Sequence, residues 1–317
     1  MAKINTVLGA IEDNFLGETL FHEHVFCANP SFCNAFGNSW FPREQVVERA
    51  IKLFKQAKEE CGVQTIVDAT PIDLGRKVEI IKEVSKKSGV NVLVSGGIYC
   101  NEETFLLGKK AEKLAKFFIE ECQRGIENTN VRPAILKCAT GRLGVTEINE
   151  ILLTAMAITQ KETGLPLYCH NEHNLKTPYQ QLKIFEQKAV NLEKVIIGHC
   201  SDTCDLGYLE ALAKNGCYLA FDRIYPFRYQ EQAKTIAKMI EIGYEDKILL
   251  SHDYFAYCDI GNNDFEEQNN SNRDFTTVHK KLLPELEKLG ANAKQLKKFT
   301  IDNPKKVLIG EKNEVKK

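Results

Sequence analysis

Seven histidines are spread along this chain, and six of them stand where apolar, strand-like runs end. His22 and His24 lie in Phe21-His22-Glu23-His24-Val25. His170 and His173 lie in Leu167-Tyr168-Cys169-His170-Asn171-Glu172-His173, and His199 ends Val195-Ile196-Ile197-Gly198-His199. His252 and Asp253 end Ile248-Leu249-Leu250-Ser251-His252-Asp253, and Lys137 ends Ala134-Ile135-Leu136-Lys137. A His-x-His pair on a strand points both rings to one side, because side chains alternate with period two. That suits two ligands on one cation. Neutral imidazoles with a nearby carboxylate favour Zn²⁺ and similar ions. The chemistry suggested is activation of water by bound metal.

Not every member of this set reads equally. His173 lies beyond its strand end and reads as a loop residue or a ligand. His252 and Asp253 have opposite alternation, so one of them faces the site, and Asp253 is the expected one. His279 falls inside a helical pattern and reads as a surface residue. Lys137 is a cation at neutral pH and cannot ligate a metal unmodified. It reads either as a buried or salt-bridged amine, or as a neutral amine that has reacted with CO₂ to give a carboxylate-like carbamate.

Strand-like runs cover Thr19–Val25, Gln64–Ala69, Asn91–Ile98, Ala134–Cys138, Pro166–His170, Lys194–His199, Cys217–Phe221 and Lys247–His252. Helical patterns alternate with them, at about Arg43–Cys61, Gly75–Ser88, Lys109–Asn128, Val145–Thr163, Pro178–Lys188, Leu206–Asn215, Tyr229–Ile242 and Arg273–Leu289. Val46, Val47, Ala50, Ile51, Phe54 and Ala57 form the stripe of a helix lying on a sheet. Eight β-then-α units predict a closed (β/α)₈ barrel, with a single domain over 1–317. An open doubly wound sheet is the rival, but no Gly-x-Gly-x-x-Gly follows the first strand. In a barrel every strand ends at one mouth, which would gather His22, His24, Lys137, His170, His199 and Asp253 at one rim.

The formal net charge of −1 gives no global attraction to nucleic acid or to an anionic membrane. No apolar run nears the ~20 residues of a membrane span, and the opening residues have no leader-like core, so the cytoplasm is expected. Eleven cysteines, an odd number in a long chain, are expected as reduced thiols. The polar stretch Gly261–Asn272 reads as a long loop covering substrate after the eighth strand.

The motifs His22-x-His24, Lys137, His170, Gly198-His199-Cys200-Ser201-Asp202 and Ser251-His252-Asp253-Tyr254 resemble the phosphotriesterase family of the amidohydrolase superfamily. Val7-Leu8-Gly9, Gly17-Glu18-Thr19-Leu20 and Asn303-Pro304-Lys305-Lys306-Val307-Leu308 extend the similarity over nearly the whole chain. The resemblance implies a binuclear centre, usually zinc (with Mn²⁺ or Co²⁺ as alternatives), bridged by a carboxylated lysine and a hydroxide. On this chain it implies that His22, His24 and Asp253 hold a buried metal, and that His170 and His199 hold a more exposed one. Lys137, as N6-carboxylysine, would bridge them, and Asp253 would also take a proton. Homodimers are common in the family.

Lactonase-like members carry a tyrosine after the third strand and an arginine after the seventh, which Tyr99 and Arg223 match. Tyr99 would donate to a substrate carbonyl, and Arg223 would bind the polar end of the substrate. Alternatively Tyr99 is a rim aromatic and Arg223 pairs with its neighbour Asp222. Tyr254, followed by a polar loop, suggests a small or polar lactone, including a phosphorylated sugar lactone, with Arg228, Lys247 and Arg273 as phosphate partners. Two other readings remain open at this point. One is a phosphotriester, phosphodiester or amide hydrolase using the same metals, and the other is a metal-binding protein without catalysis.

Overall fold

The computed structural model describes residues 1–259 and 274–310. Ile260, the stretch Gly261–Asn272 expected as a loop, Arg273 and the residues from Glu311 onward lie outside the described residues. The chain begins with a hairpin, β1 (Lys3–Thr6) antiparallel to β2 (Gly9–Glu12). Eight parallel strands follow: β3 (Glu18–Glu23), β4 (Val63–Asp68), β5 (Asn91–Gly97), β6 (Ile135–Ala139), β7 (Leu167–His170), β8 (Val195–Ile197), β9 (Tyr218–Phe221) and β10 (Ile248–Leu250). Each pairs with the next in sequence. Beyond the regular strands, parallel bridges His24↔Phe255 and Cys27↔Cys258 join the first strand to the last. His24 N–H donates to Tyr254 O at 2.9 Å and Asp253 N–H to His22 O at 3.1 Å. The result is the expected (β/α)₈ barrel.

Helices between strands include α1 (Pro30–Phe36), α2 (Arg43–Cys61), α3 (Val78–Ser88), α4 (Ala111–Arg124), α5 (Glu147–Thr163), α6 (Thr177–Gln187), α7 (Leu206–Ala213) and α8 (Tyr229–Glu241). The stripe on α2 packs inward as its spacing requires, with Val46, Val47, Ala50, Phe54 and Ala57 all buried. Gly62 ends α2 in the left-handed region at φ 72°, a conformation without penalty only for glycine. Two helices are shorter than their patterns. Gly125 (φ 111°) ends α4 before Ile126–Asn128, and a 3₁₀ turn, Ile72–Leu74, precedes α3. The helix α1 was not legible as one, being only 7 residues long, and it is started by Asn29 accepting from the Ser31 and Phe32 amides.

Phe21, Val67, Leu93, Ile135, Tyr168, Ile196 and Leu249 fill the barrel interior, and Ile4 of the hairpin joins them. The hairpin is tied to the strand starts by Val7 N–H to Val92 O at 2.9 Å. It covers the end opposite the mouth. In β3, Leu20 pairs with Ile66 and Glu23 with Asp68, so three residues on one strand face two on the other. This bulge lets Phe21 fill the barrel while its neighbour His22 still faces the mouth. All eleven cysteines are free thiols. No described helix is long and apolar enough to cross a membrane.

Candidate metal centre

The mouth holds a cavity of about 340 Å³ lined by His22, His24, Lys137, His170, Asp253, Tyr99 and Arg223, with Leu74, Asp202, Tyr225 and Phe255. The expected ligands on this wall converge although they come from four strands, and His199, from a fifth, is buried beside His170. His22 Nε2 lies 3.2 Å from His24 Nε2 and 3.3 Å from Asp253 Oδ1, and His24 Nε2 is 3.2 Å from the same oxygen. Lys137 Nζ is 3.0 Å from His22 Nε2. On the other side, His199 Nε2 lies 2.6 Å from His170 Nδ1. Donors about 2.0–2.1 Å from a tetrahedral cation stand roughly 3.4 Å apart, so the first group has the spacing of a ligand set.

Proton placement strengthens the fit. Nδ1 of His22 faces Asp222 Oδ2 at 2.7 Å, and Nδ1 of His199 faces Asp222 Oδ1 at 3.0 Å. An ionised carboxylate only accepts, so both rings carry their proton on Nδ1 and turn a lone pair on Nε2 toward the cavity. Lone pairs and a carboxylate oxygen brought together repel, and divalent cations are what such a set accommodates. His22, His199 and Asp222 also lie close enough to form a ligand group of their own. Their mutual contacts run through the protonated Nδ1 atoms, however, so Asp222 supports the ligands from behind.

Burial pushes the His22 ring down to about 4, helped by the Lys137 amine, and also lowers His170 and His199. All three are held neutral, the form that binds metal. Lys137 is 1% exposed, and burial lowers its amine. A neutral amine is the species that reacts with CO₂. Burial alone would raise Asp253 and Asp222, but the surrounding histidines, and Arg223 at Asp253, hold both well below the usual carboxylate range. The residues present fit two divalent ions, with His22, His24 and Asp253 around one, His170 and His199 around the other, and Lys137 on the side of His22.

Local backbone geometry delivers two of these ligands. His199 (φ 61°) and Asp253 (φ 51°) are non-glycine residues in the left-handed region, which costs of order 1–3 kcal/mol each. Asp222 Oδ1 accepts from the His199 backbone N–H at 2.9 Å, and the barrel seam holds Asp253.

Tyr99 follows β5, and its hydroxyl stands 3.2 Å from His170 Nδ1 and 3.1 Å from Nε2. Arg223 donates from Nε to Asp253 Oδ2 at 2.9 Å and from Nη1 to Asp202 Oδ2 at 2.5 Å. It does not pair with Asp222, because adjacent residues leaving β9 point to opposite sides. Burial works against the guanidinium charge, but Asp253 and Asp202 raise it further.

Four sequence expectations are corrected. Tyr254 is buried away from the cavity with its hydroxyl on Arg49 Nη2 at 2.8 Å, and its neighbour Phe255 lines the cavity instead. Alternation puts only one of the two inside. Arg228 stands at the start of α8 with its Nε 3.8 Å from Glu231, outside the lining. Lys247 precedes β10 and so lies at the opposite barrel end, over the Tyr218 ring. His279 is partly buried, with Nε2 3.3 Å from Glu18 Oε2. Arg273 lies outside the described residues.

His173 and His252 prove structural. His173 Nε2 donates to Gly198 O at 2.8 Å. His252 Nδ1 meets buried Glu23 at 2.6 Å, and its Nε2 accepts from Val278 N–H at 3.0 Å. Sequence reasoning missed the support around the ligands: Asp222, Tyr168, Thr70 (2.8 Å from His24 Nδ1) and Asp202. The signal for Asp222 was available, an acidic residue directly after a strand, in the position the histidines occupy on other strands.

A (β/α)₈ barrel whose mouth gathers histidines, a lysine and an aspartate in this way belongs to the metal-dependent hydrolases. The sequence model of the Phosphotriesterase family matches residues 2–308, and the chain belongs to that family. It is 35% identical over 321 residues to a "Phosphotriesterase homology protein" of Mycobacterium tuberculosis, covering 97% of this chain and 98% of the relative. An "Aryldialkylphosphatase" of Saccharolobus solfataricus is 29% identical (94% and 96% covered), and an "N-acetyltaurine hydrolase" of Salmo salar 26% (96% and 97%). The solved "Structure of the phosphotriesterase from Mycobacterium tuberculosis" superposes with a TM-score of 0.90 at 33% identity, covering 97% of this chain and 98% of that one.

Proposed function

We propose that this hydrolase opens a small or polar lactone, with a phosphorylated sugar lactone within that class. The observation that carries the reading is the pair Tyr99 and Arg223 on the wall of the cavity that also holds the candidate ligands. Two divalent ions, Zn²⁺ by donor chemistry with Mn²⁺ or Co²⁺ as alternatives, would supply activated water and polarise the scissile carbonyl. Carboxylation of Lys137 would add the negative charge that lets it join both halves.

The chain's own residues do the rest. The Tyr99 hydroxyl donates to the carbonyl oxygen as charge develops there. Asp253 takes the proton of the attacking water and returns it to the ring oxygen when the C–O bond breaks, leaving a hydroxy acid. Arg223 holds Asp253 in orientation through Oδ2 and presents its remaining edge to the polar end of the substrate.

A second reading has specific support. Relatives named for aryl dialkyl phosphate and N-acetyltaurine hydrolysis span nearly the whole chain, so the same centre could cut a phosphotriester or an amide. Comparing kcat/KM for aliphatic, sugar and phosphorylated sugar lactones, aryl dialkyl phosphates and N-acyl amides separates the readings. Lactones should lead by at least about 100-fold, roughly 2.7 kcal/mol in the barrier. A phosphotriester or amide at the head of that ranking removes the lactonase reading.

A further inference from the structure

Asp222 is a fully buried carboxylate that receives four donors. Oδ2 accepts from His22 Nδ1 at 2.7 Å and from the Tyr168 hydroxyl, and Oδ1 accepts from His199 Nδ1 at 3.0 Å and from the His199 backbone N–H at 2.9 Å. His22 belongs to the half of the centre that also contains His24 and Asp253, and His199 to the half that contains His170. The remaining ligand rings have separate neighbours. His24 Nδ1 meets Thr70 Oγ1, and His170 meets the Tyr99 hydroxyl. Asp222 meets the Nδ1 of one ring in each half at hydrogen-bond distance, whereas Asp253, with Oδ1 beside His22 and His24, keeps its Oδ2 3.8 Å from His199 Nδ1.

We infer that Asp222 is a positioning residue that couples the two half-sites, one carboxylate setting the tautomer and ring orientation of one ligand in each. The inference rests on the two-ion reading above. An acceptor-only group is required. A carboxamide would turn an N–H toward one of the two Nδ1–H groups, and that ring would have to move its proton to Nε2, where it cannot ligate. The fold makes room for the contact at Gly198. A Cβ there would meet Cys169 O at 2.7 Å and the Tyr168 ring at 2.8 Å. Glycine therefore lets the end of β8 lie against Tyr168, so that His199 reaches Asp222.

The test is a titration of the metal-depleted full chain with Co²⁺, followed by visible absorption and calorimetry. The wild-type chain should take up two ions. Asp222→Ala should weaken both sites, by about 10–100-fold apiece, the usual cost of removing such a support, whereas Asp222→Asn, which keeps one acceptor oxygen, should weaken one site more than the other. Thr70→Val, which touches His24 alone, should weaken one. Circular dichroism establishes that each variant is folded. Loss confined to one site in folded Asp222→Ala, or unchanged affinity at both sites in folded Asp222→Asn, overturns the coupling. Uptake of fewer than two ions by the wild type instead defeats the two-ion reading. Should neither variant fold, nitrogen NMR of the zinc-loaded wild type decides. Protons on Nδ1 of both His22 and His199, each hydrogen-bonded to a carboxylate, support the coupling, and a missing carboxylate bond at either ring ends it.

Discussion

At the scale of single residues, the centre depends on keeping ionisable groups in the forms that bind cations. Neutral imidazoles, an amine depressed by burial and two carboxylates held as anions are each a consequence of where the side chain stands. Lys137 is the sharpest case, since burial favours its neutral amine, the form that reacts with CO₂, and a carbamate would bring negative charge to the cations. Lys137→Ala should lower kcat by two orders of magnitude or more and reduce bound metal, and short carboxylates added to the buffer should partly restore both. Full activity in Lys137→Ala would end the bridging role. Asp253→Asn should cut kcat by several orders of magnitude while its circular dichroism stays that of the wild type.

At the scale of elements, short backbone irregularities aim the side chains. The bulge in β3 admits Phe21 and His22 to the interior together, and left-handed turns after β8 and β10 swing His199 and Asp253 over the mouth. The 3₁₀ turn Ile72–Leu74 fixes the exit of β5, where Asp73 accepts the Tyr99 backbone N–H at 2.7 Å. Burial raises the Asp73 carboxyl from 3.8 to about 6, with Glu103 adding to the shift and the hydrogen bonds from Tyr99 and Asn101 opposing it. The folded state therefore binds this proton more tightly than the unfolded chain. Its charged form costs stability above pH 6, and that cost fades as pH falls from 6 toward 3.8. Asp73→Asn keeps an acceptor and removes the charge, so at pH 8 it should raise Tm by roughly 2–4 °C. The gain should vanish near pH 4. A gain independent of pH would show that charge is not its cause.

At the scale of the whole molecule, the candidate metal ligands sit astride the seam of the barrel. His22 and His24 come from the first barrel strand and Asp253 from beyond the last, where a few backbone bonds and the His24↔Phe255 and Cys27↔Cys258 bridges close the ring. An ion held by all three would staple the two ends of the chain's sheet. Metal at about 1,000 times its dissociation constant should stabilise the fold by roughly 4 kcal/mol. Chelation should lower Tm accordingly, and hydrogen exchange should then quicken at the His24, Asp253 and Ala256 amides before the Leu136 amide, which bonds Pro166 O at 2.7 Å. Uniform quickening around the barrel would refute the staple.

The barrel was legible from the sequence because its signals are local. Apolar runs of strand length alternate with helical stripes eight times, and histidines at strand ends mark the face where strands terminate. That His22, His24, Lys137, His170, His199 and Asp253 gather at one mouth followed from that placement. What the linear order could not carry is mutual orientation: which oxygen of Asp222 meets which ring, that Arg223 turns to Asp253 and Asp202, and that Phe255 rather than Tyr254 faces the cavity. Those choices arise only when distant strands close on one another. Sequence periodicity encodes the side of an element a residue occupies, whereas hydrogen-bond partners depend on bulges, left-handed turns and barrel closure, which shift register by single residues.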